Sequence, residues 1–157
     1  MNQLSIWLAG IKTWYHPQQQ SDIDILVNAV SHAPEEIFGP IESELHSEAL
    51  AYWLDACTRL SYYYQDSQEI DKAFSYLQFA YAKLQDMACR PELDSDMKRW
   101  CLKKLDRMIV ATMEFCQRQP ETKWQQESTQ LIELHVMFME GQNNINLAYS
   151  DNHPVLK

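Results

Sequence analysis

Glycine is nearly missing from this sequence: Gly10, Gly39 and Gly141 are the only three in 157 residues. Sheet-rich folds turn the chain often, and many of those turns need the positive φ that glycine adopts without strain. So few glycines, with long stretches between them, imply few turns and long helices. No segment shows sustained strand alternation bounded by turn residues. Cysteine is sparse and unpaired in pattern. Cys57, Cys89, Cys101 and Cys116 form no Cys-x-x-Cys pair and no Cys/His grouping with zinc spacing. All four fall in apolar helical contexts and are expected to be reduced, buried, small hydrophobes. The first fifteen residues lack the basic start and small-residue cleavage site of a secretory leader. No apolar run reaches the length of a membrane-spanning helix. The cytoplasm is the expected compartment, with no membrane attachment. Phosphate-binding loops, dinucleotide glycine fingerprints, nucleophile elbows and zinc-protease helices are all missing, so no catalytic residues, metal or cofactor are expected.

Basic charge is also scarce. Thirteen Lys and Arg face 22 Asp and Glu, for a formal charge of −9 and a pI near 4.9. That balance opposes general attraction to nucleic acid or to anionic lipid, and nucleic acid is not an expected partner. What the chain does have is apolar residues, 46% of the total, enough to build a core at this length. One domain spanning 1–157 is expected, with a loose tail over 150–157.

The apolar residues recur every third or fourth position, which is helical spacing. Leu4, Trp7, Leu8, Ile11, Trp14 and Tyr15 mark a first helix that stops before His16-Pro17. Ser21-x-x-Asp24 reads as the cap of a short second helix carrying Ile23, Leu26, Val27 and Val30. After the Phe38-Gly39-Pro40 turn, a long helix is predicted from Glu42 to Gln65, with Tyr63 and Tyr64 in its core stripe. Asp66 to Glu69 connects it to a helix with Ile70, Ala73, Phe74, Leu77, Ala80, Tyr81, Leu84 and Ala88. Arg90-Pro91 ends that helix, and Asp94 or Ser95 caps another that reaches Gln119. Pro120-Glu121 suits the first turn of the last helix, which carries Trp124, Leu131, Leu134, His135, Phe138, Ile145 and Tyr149 and is expected to fray at Asn143-Asn144. The fold class is all-α: about six helices with short connections in an antiparallel array, a bundle or a short solenoid.

One hairpin is more specific. In residues 54–87, Leu60-Ser61-x-x-Tyr64 and Ala73-x-x-x-Leu77 are followed by the small residue Ala80. Small residues at Ser61, Ala73 and Ala80 let two antiparallel helices approach closely, and Leu60, Tyr64 and Leu77 fill the space around them. This segment resembles a tetratricopeptide repeat, a helix–turn–helix of about 34 residues. It departs from that pattern at Cys57, where a tryptophan is usual, at the turn residue Gln68, where glycine is frequent, and at Gln85, where proline is expected. No second repeat aligns. The resemblance implies a concave groove on the first helix of the pair, with Asp55, Thr58, Tyr62 and Gln65 facing a bound peptide. Small acidic proteins with such repeats include bacterial type III secretion chaperones, whose three-repeat layout this chain does not match.

Other clusters concentrate charge or aromatic surface. Lys98, Arg99, Lys103, Lys104 and Arg107 are five of the thirteen basic residues. Arg99, Lys103 and Arg107 share a helix face opposite Leu105 and Ile109, a stripe suited to phosphate or an acidic partner. Glu35, Glu36, Glu42, Glu44 and Glu48 read as helix-start charges. Glu42 with His46 reads as an exposed polar face, and His135 as a hydrogen-bonded core histidine. Tyr62, Tyr76 and Phe79 exceed what the core stripes can absorb, and exposed aromatics favour interfaces, including a homo-oligomeric one. The expected function is therefore a non-enzymatic protein–protein interaction module, adaptor or chaperone-like, that binds a peptide or partner domain. The alternatives are a transcriptional or signalling regulator using the basic stripe, and a small-molecule binder or enzyme inside a helical bundle.

Overall fold

A computed structural model describes residues 2–16 and 22–151 of the chain, with side chains through Gln142. Among the described residues the protein is all-α: six helices, one 3-10 turn and no strand. The helices are α1 (Gln3–Tyr15), α2 (Ile23–Ser31), α3 (Glu44–Asp66), α4 (Ile70–Ala88), α5 (Ser95–Gln117) and α6 (Thr122–Asp151), with the 3-10 turn at Glu35–Phe38.

Local chemistry sets the ends. The Asn2 side chain accepts from the Ser5 amide at 2.8 Å and opens α1. His16 ends it in extended geometry, as a residue before proline must. The cap of α2 is Asp22, whose carboxylate accepts from the Asp24 amide at 3.0 Å. The expected cap, Ser21, lies outside the described residues. Ser43 caps α3 through the His46 amide at 3.2 Å, so that helix begins two residues later than the apolar pattern implied. Asp94 caps α5 by accepting from the Met97 amide at 2.8 Å. Pro120 stands just ahead of α6, whose first residue is Thr122. One C-terminal expectation is corrected. The α6 backbone continues through Asn143-Asn144, because two asparagines lower helix propensity only slightly. Ser150 and Asp151 are still helical, while the rest of the expected loose tail lies outside the described residues.

The α3–α4 connection is a Schellman motif. Gln68 takes φ 63°, the only positive φ among the described residues. Its amide donates to the Gln65 carbonyl at 3.1 Å, and the Glu69 amide donates to the Tyr64 carbonyl at 2.8 Å. A left-handed residue is what this turn demands, and glutamine fills a place that glycine would fill at lower cost.

The chain divides into two compact units, residues 1–105 and 106–157, with the division inside α5. In the first unit, Leu4, Leu8, Ile11 and Trp14 of α1, Leu26 and Val30 of α2, Ile37 and Phe38 are buried with the inner stripe of α3. Trp53 is the hub: its ring meets Phe38 edge-on at 4.8 Å and Phe79 at 5.5 Å. Three indoles hold α2, two at its last turn and one at its N-cap. Trp7 donates to the Ala29 carbonyl at 2.9 Å, Trp53 to the Val30 carbonyl at 3.2 Å and Trp14 to the Asp22 carbonyl at 2.8 Å. Ala29 and Val30 lie in the last turn, where carbonyls lack helical partners. Among α1 to α4, the most extensive helix pair is α3 with α4. Ser61, Ala73 and Ala80 are buried between large neighbours, and Tyr64 stacks on Tyr76 at 5.7 Å and 5°.

The second unit holds the end of α5 and all of α6. Buried Ile109, Thr112, Phe115 and Cys116 face a stripe of Trp124, Ser128, His135 and Gln142, with half-buried Leu131 and Phe138 between. The α6 spacing alternates four and three, the heptad pattern of a helix pair. Phe115 meets Trp124 edge-on at 5.5 Å near the turn.

Candidate interaction surfaces

On α3 the residues named for a groove share one face, and the structure gives them different circumstances. Asp55 is engaged. It accepts a short hydrogen bond from the Tyr15 hydroxyl and another from Arg59 Nε at 2.8 Å. The Arg59 guanidinium lies over the Tyr15 ring at 4.7 Å, and Tyr15 meets Tyr52 edge-on at 5.0 Å. One turn back, Lys12 pairs with Glu48. The C-terminal turn of α1 is thus tied along α3 from Glu48 to Arg59. Burial, then the bond to Asp55, holds the Tyr15 hydroxyl above its ordinary pKa, so it donates and stays protonated. Gln65 is half-buried, its amide on Ser61 Oγ at 3.3 Å. Thr58 is exposed, and its hydroxyl returns to the Leu54 carbonyl at 3.3 Å. Tyr62 is 58% exposed and points away from the core.

Tyr63 corrects an expectation. It is 44% exposed, although its spacing suggested the core. The buried stripe of Trp53, Ala56, Cys57, Leu60, Ser61 and Tyr64 is narrow, and Tyr63 falls one position past its edge. It packs edge-on against Tyr64 at 5.1 Å. Tyr62 and Tyr63 together form an exposed aromatic pair near the C-terminal end of α3. By contrast Tyr76 and Phe79, also counted as surplus, are half-buried.

Arg99, Lys103 and Arg107 are all exposed on α5, with Leu105 and Ile109 buried on its other side. Arg99 reaches Asp96 at 3.4 Å. Arg99 and Lys103 belong to the first unit and Arg107 to the second.

His135 is buried, and its Nε2 lies 2.7 Å from Asp106 Oδ1. The reading as a hydrogen-bonded core histidine agrees with this contact. Its partner is 29 positions away, and nothing local in the sequence marks that pairing. His46 is a correction: it is buried rather than on an exposed polar face, and its ring is hydrogen-bonded to the Glu36 carbonyl. Of the acidic residues, Glu35 pairs with Lys83 at 3.6 Å and Glu48 with Lys12.

Cys89 is a further correction. It is exposed at the C-cap of α4, while Cys57, Cys101 and Cys116 are buried. Burial raises all three buried thiols, Cys101 to about 11 and Cys57 further, with Glu127 adding to the rise at Cys116. Groups held as neutral thiols are poor nucleophiles. An open depression of ≈ 440 Å³ along α6 is lined by Thr122, Gln125, Gln126, Thr129, Gln130 and Glu133. Glu133 is the one ionisable group among these lining residues. Among the described residues no three His, Cys, Asp or Glu side chains gather as a metal site would need. No described helix is long and apolar enough to cross a membrane.

Compared with protein-family models, curated proteins and solved structures, the chain gives no match.

Proposed function

We propose that the chain is a non-enzymatic protein–protein interaction module, adaptor-like or chaperone-like, that holds a peptide or partner domain on the open end of α3. The observation carrying this reading is the exposed pair Tyr62 and Tyr63, adjacent to Thr58 and beyond the stretch of α3 that α1 ties down. Tyrosines present a large apolar area with a polar tip and little rotamer freedom to lose, which makes them good anchors. The resemblance of residues 54–87 to a tetratricopeptide repeat supports the same face. So does the close packing of its small positions Ser61, Ala73 and Ala80. The groove contracts in this reading. Asp55 serves to hold α1, and Thr58 and Tyr62 make the contact. Partner capture from native lysate, compared between the wild type and Tyr62→Ala/Tyr63→Ala, tests it. Loss of specific partners is expected, and recovery of the same set by the double variant counts against the surface.

A second reading has its own observation, the exposed cations Arg99 and Lys103 on α5 in the first unit. They suit a regulator that docks on an acidic partner or on phosphate. Binding that stays flat across a salt titration removes this electrostatic alternative.

A further inference from the structure

Residues 131–139 of α6 read Leu-Ile-Glu-Leu-His-Val-Met-Phe-Met, with Glu133 the only acid or formal cation among them. A helix apolar on all sides is normally enclosed on all sides. Among the described residues of its unit α6 has one neighbouring helix, the end of α5, and that covers one stripe. The rest stays open: Leu134 is 55% exposed and Met137 66% exposed. At about 100° per residue, Gln130, Leu134, Met137 and Gly141 fall on one narrow ridge. Half-buried Leu131 and Phe138 join that ridge to the core. At Gly141 a Cβ would meet nothing within 4 Å, so the ridge ends in open space where another backbone can approach.

Charge identifies the occupant. Glu133 and Glu140 border the ridge on one side and Glu127 on the other, and α6 carries no Lys or Arg after Lys123. Lys123 is 3.8 Å from Glu121, ahead of the ridge. An α6-to-α6 contact between two copies would set Glu133 and Glu140 against their own kind. A cationic partner would instead neutralise them while covering Leu134 and Met137. We infer that this ridge is a docking site for a basic amphipathic helix. Such a helix would lay apolar residues at i, i+3, i+4 and i+7 along Leu134 and Met137 and set Lys or Arg beside Glu127, Glu133 and Glu140. Methionine at the centre suits the task, because its unbranched side chain adapts to the knobs it receives. The inference rests on reading the chain as a protein-binding module, but it uses a different surface from the α3 tyrosines.

The test uses the full chain and two synthetic fluorescein-labelled helical peptides. They share a leucine ridge and differ only in having lysine or glutamate on its flanks. Fluorescence anisotropy is expected to show binding of the lysine peptide, weakening as salt rises, and none of the glutamate peptide. Met137→Asp should weaken the affinity about tenfold or more, and so should Glu133→Lys with Glu140→Lys. Glu42→Lys with Glu44→Lys, on the first unit, should leave it unchanged. Circular dichroism of each variant checks that the helices persist, and Met137→Ala serves if Met137→Asp disturbs them. Equal binding of both peptides overturns the proposal. So does equal loss from the two charge reversals, or a wild-type dimer in sedimentation that Met137→Asp dissociates. Capture of lysate partners by Tyr62→Ala/Tyr63→Ala separates the two readings. If that variant keeps its partners while the lysine peptide still depends on Met137, the α3 surface fails and the α6 ridge stands.

Discussion

The two units solve the same problem of burying apolar stripes with different completeness. In the first, the inner stripe of α3 meets α4, α1, α2 and the 3-10 turn. The three indole N–H groups of Trp7, Trp14 and Trp53 all reach backbone carbonyls of α2 or its cap. In the second, Thr112, Ser128, His135 and Gln142 interrupt the buried seam. Leu134, Val136 and Met137 meanwhile remain outside it. Polar residues in a seam lower stability and specify register. Apolar residues left outside are surface available to another chain. The contrast is between a unit whose several helices share one largely apolar core and a unit whose buried seam is interrupted by polar side chains; exposed apolar residues occur on both, Tyr62 and Tyr63 on the first and Leu134 and Met137 on the second.

Thiol labelling is the sharpest way to probe that contrast. Cys89 should react with a disulfide reagent at neutral pH, and buried Cys57 more slowly by about a thousandfold or more, since it is reached only through opening. Cys116, in the second unit, should fall between them. Equal rates for Cys57 and Cys116 would mean that the two units open together. The raised thiols also give a pH sign. The folded pKa of Cys101 is about 11 against an ordinary 9.0. Its contribution is complete below pH 9 and is lost as pH rises toward 11, so thermal melts should fall across that window. Next in size is Trp53→Ala. It removes the hub of the first unit and should cost about 3–5 kcal/mol in denaturant unfolding, with the Val30 carbonyl left without its donor.

Gln142→Leu attacks the other side of the comparison. Gln142 is buried, and its Oε1 has no hydrogen-bond partner among the described residues. Leucine there should stabilise the second unit by about 1–2 kcal/mol, read as slower amide exchange along α6. Unchanged or faster exchange would mean that the amide has a role the apolar side chain cannot replace. The smallest expected effect is at the α3–α4 turn. Gln68→Gly should raise stability by about 0.5–1 kcal/mol by relieving the left-handed glutamine. A loss instead would show that the Gln68 side chain holds the turn by contacts of its own.

Much of the fold was legible from spacing. Among the described residues, six helices and no strand follow from apolar residues every three or four positions and from the scarcity of glycine. The breaks at Pro17, Gly39-Pro40 and Pro91 were equally plain. Caps were less so, because Ser43 and Asp22 compete with neighbours of similar chemistry, and only backbone geometry selects the one that bonds. Periodicity overstated burial at Tyr63 and Leu134. It gives a side chain's direction around a helix but not the width of the face that a neighbour covers.

The sequence by itself determined that this protein is helical, because periodic burial is a property of the chain within a few turns. It also set the acidic balance that flanks the α6 ridge. Only the tertiary structure decided which residues meet across long separations. Examples are Tyr15 with Asp55, His135 with Asp106, and three indoles holding one short helix. Those pairings depend on how helices are placed beside one another, and hydrophobic spacing, being non-directional, does not encode that placement residue by residue.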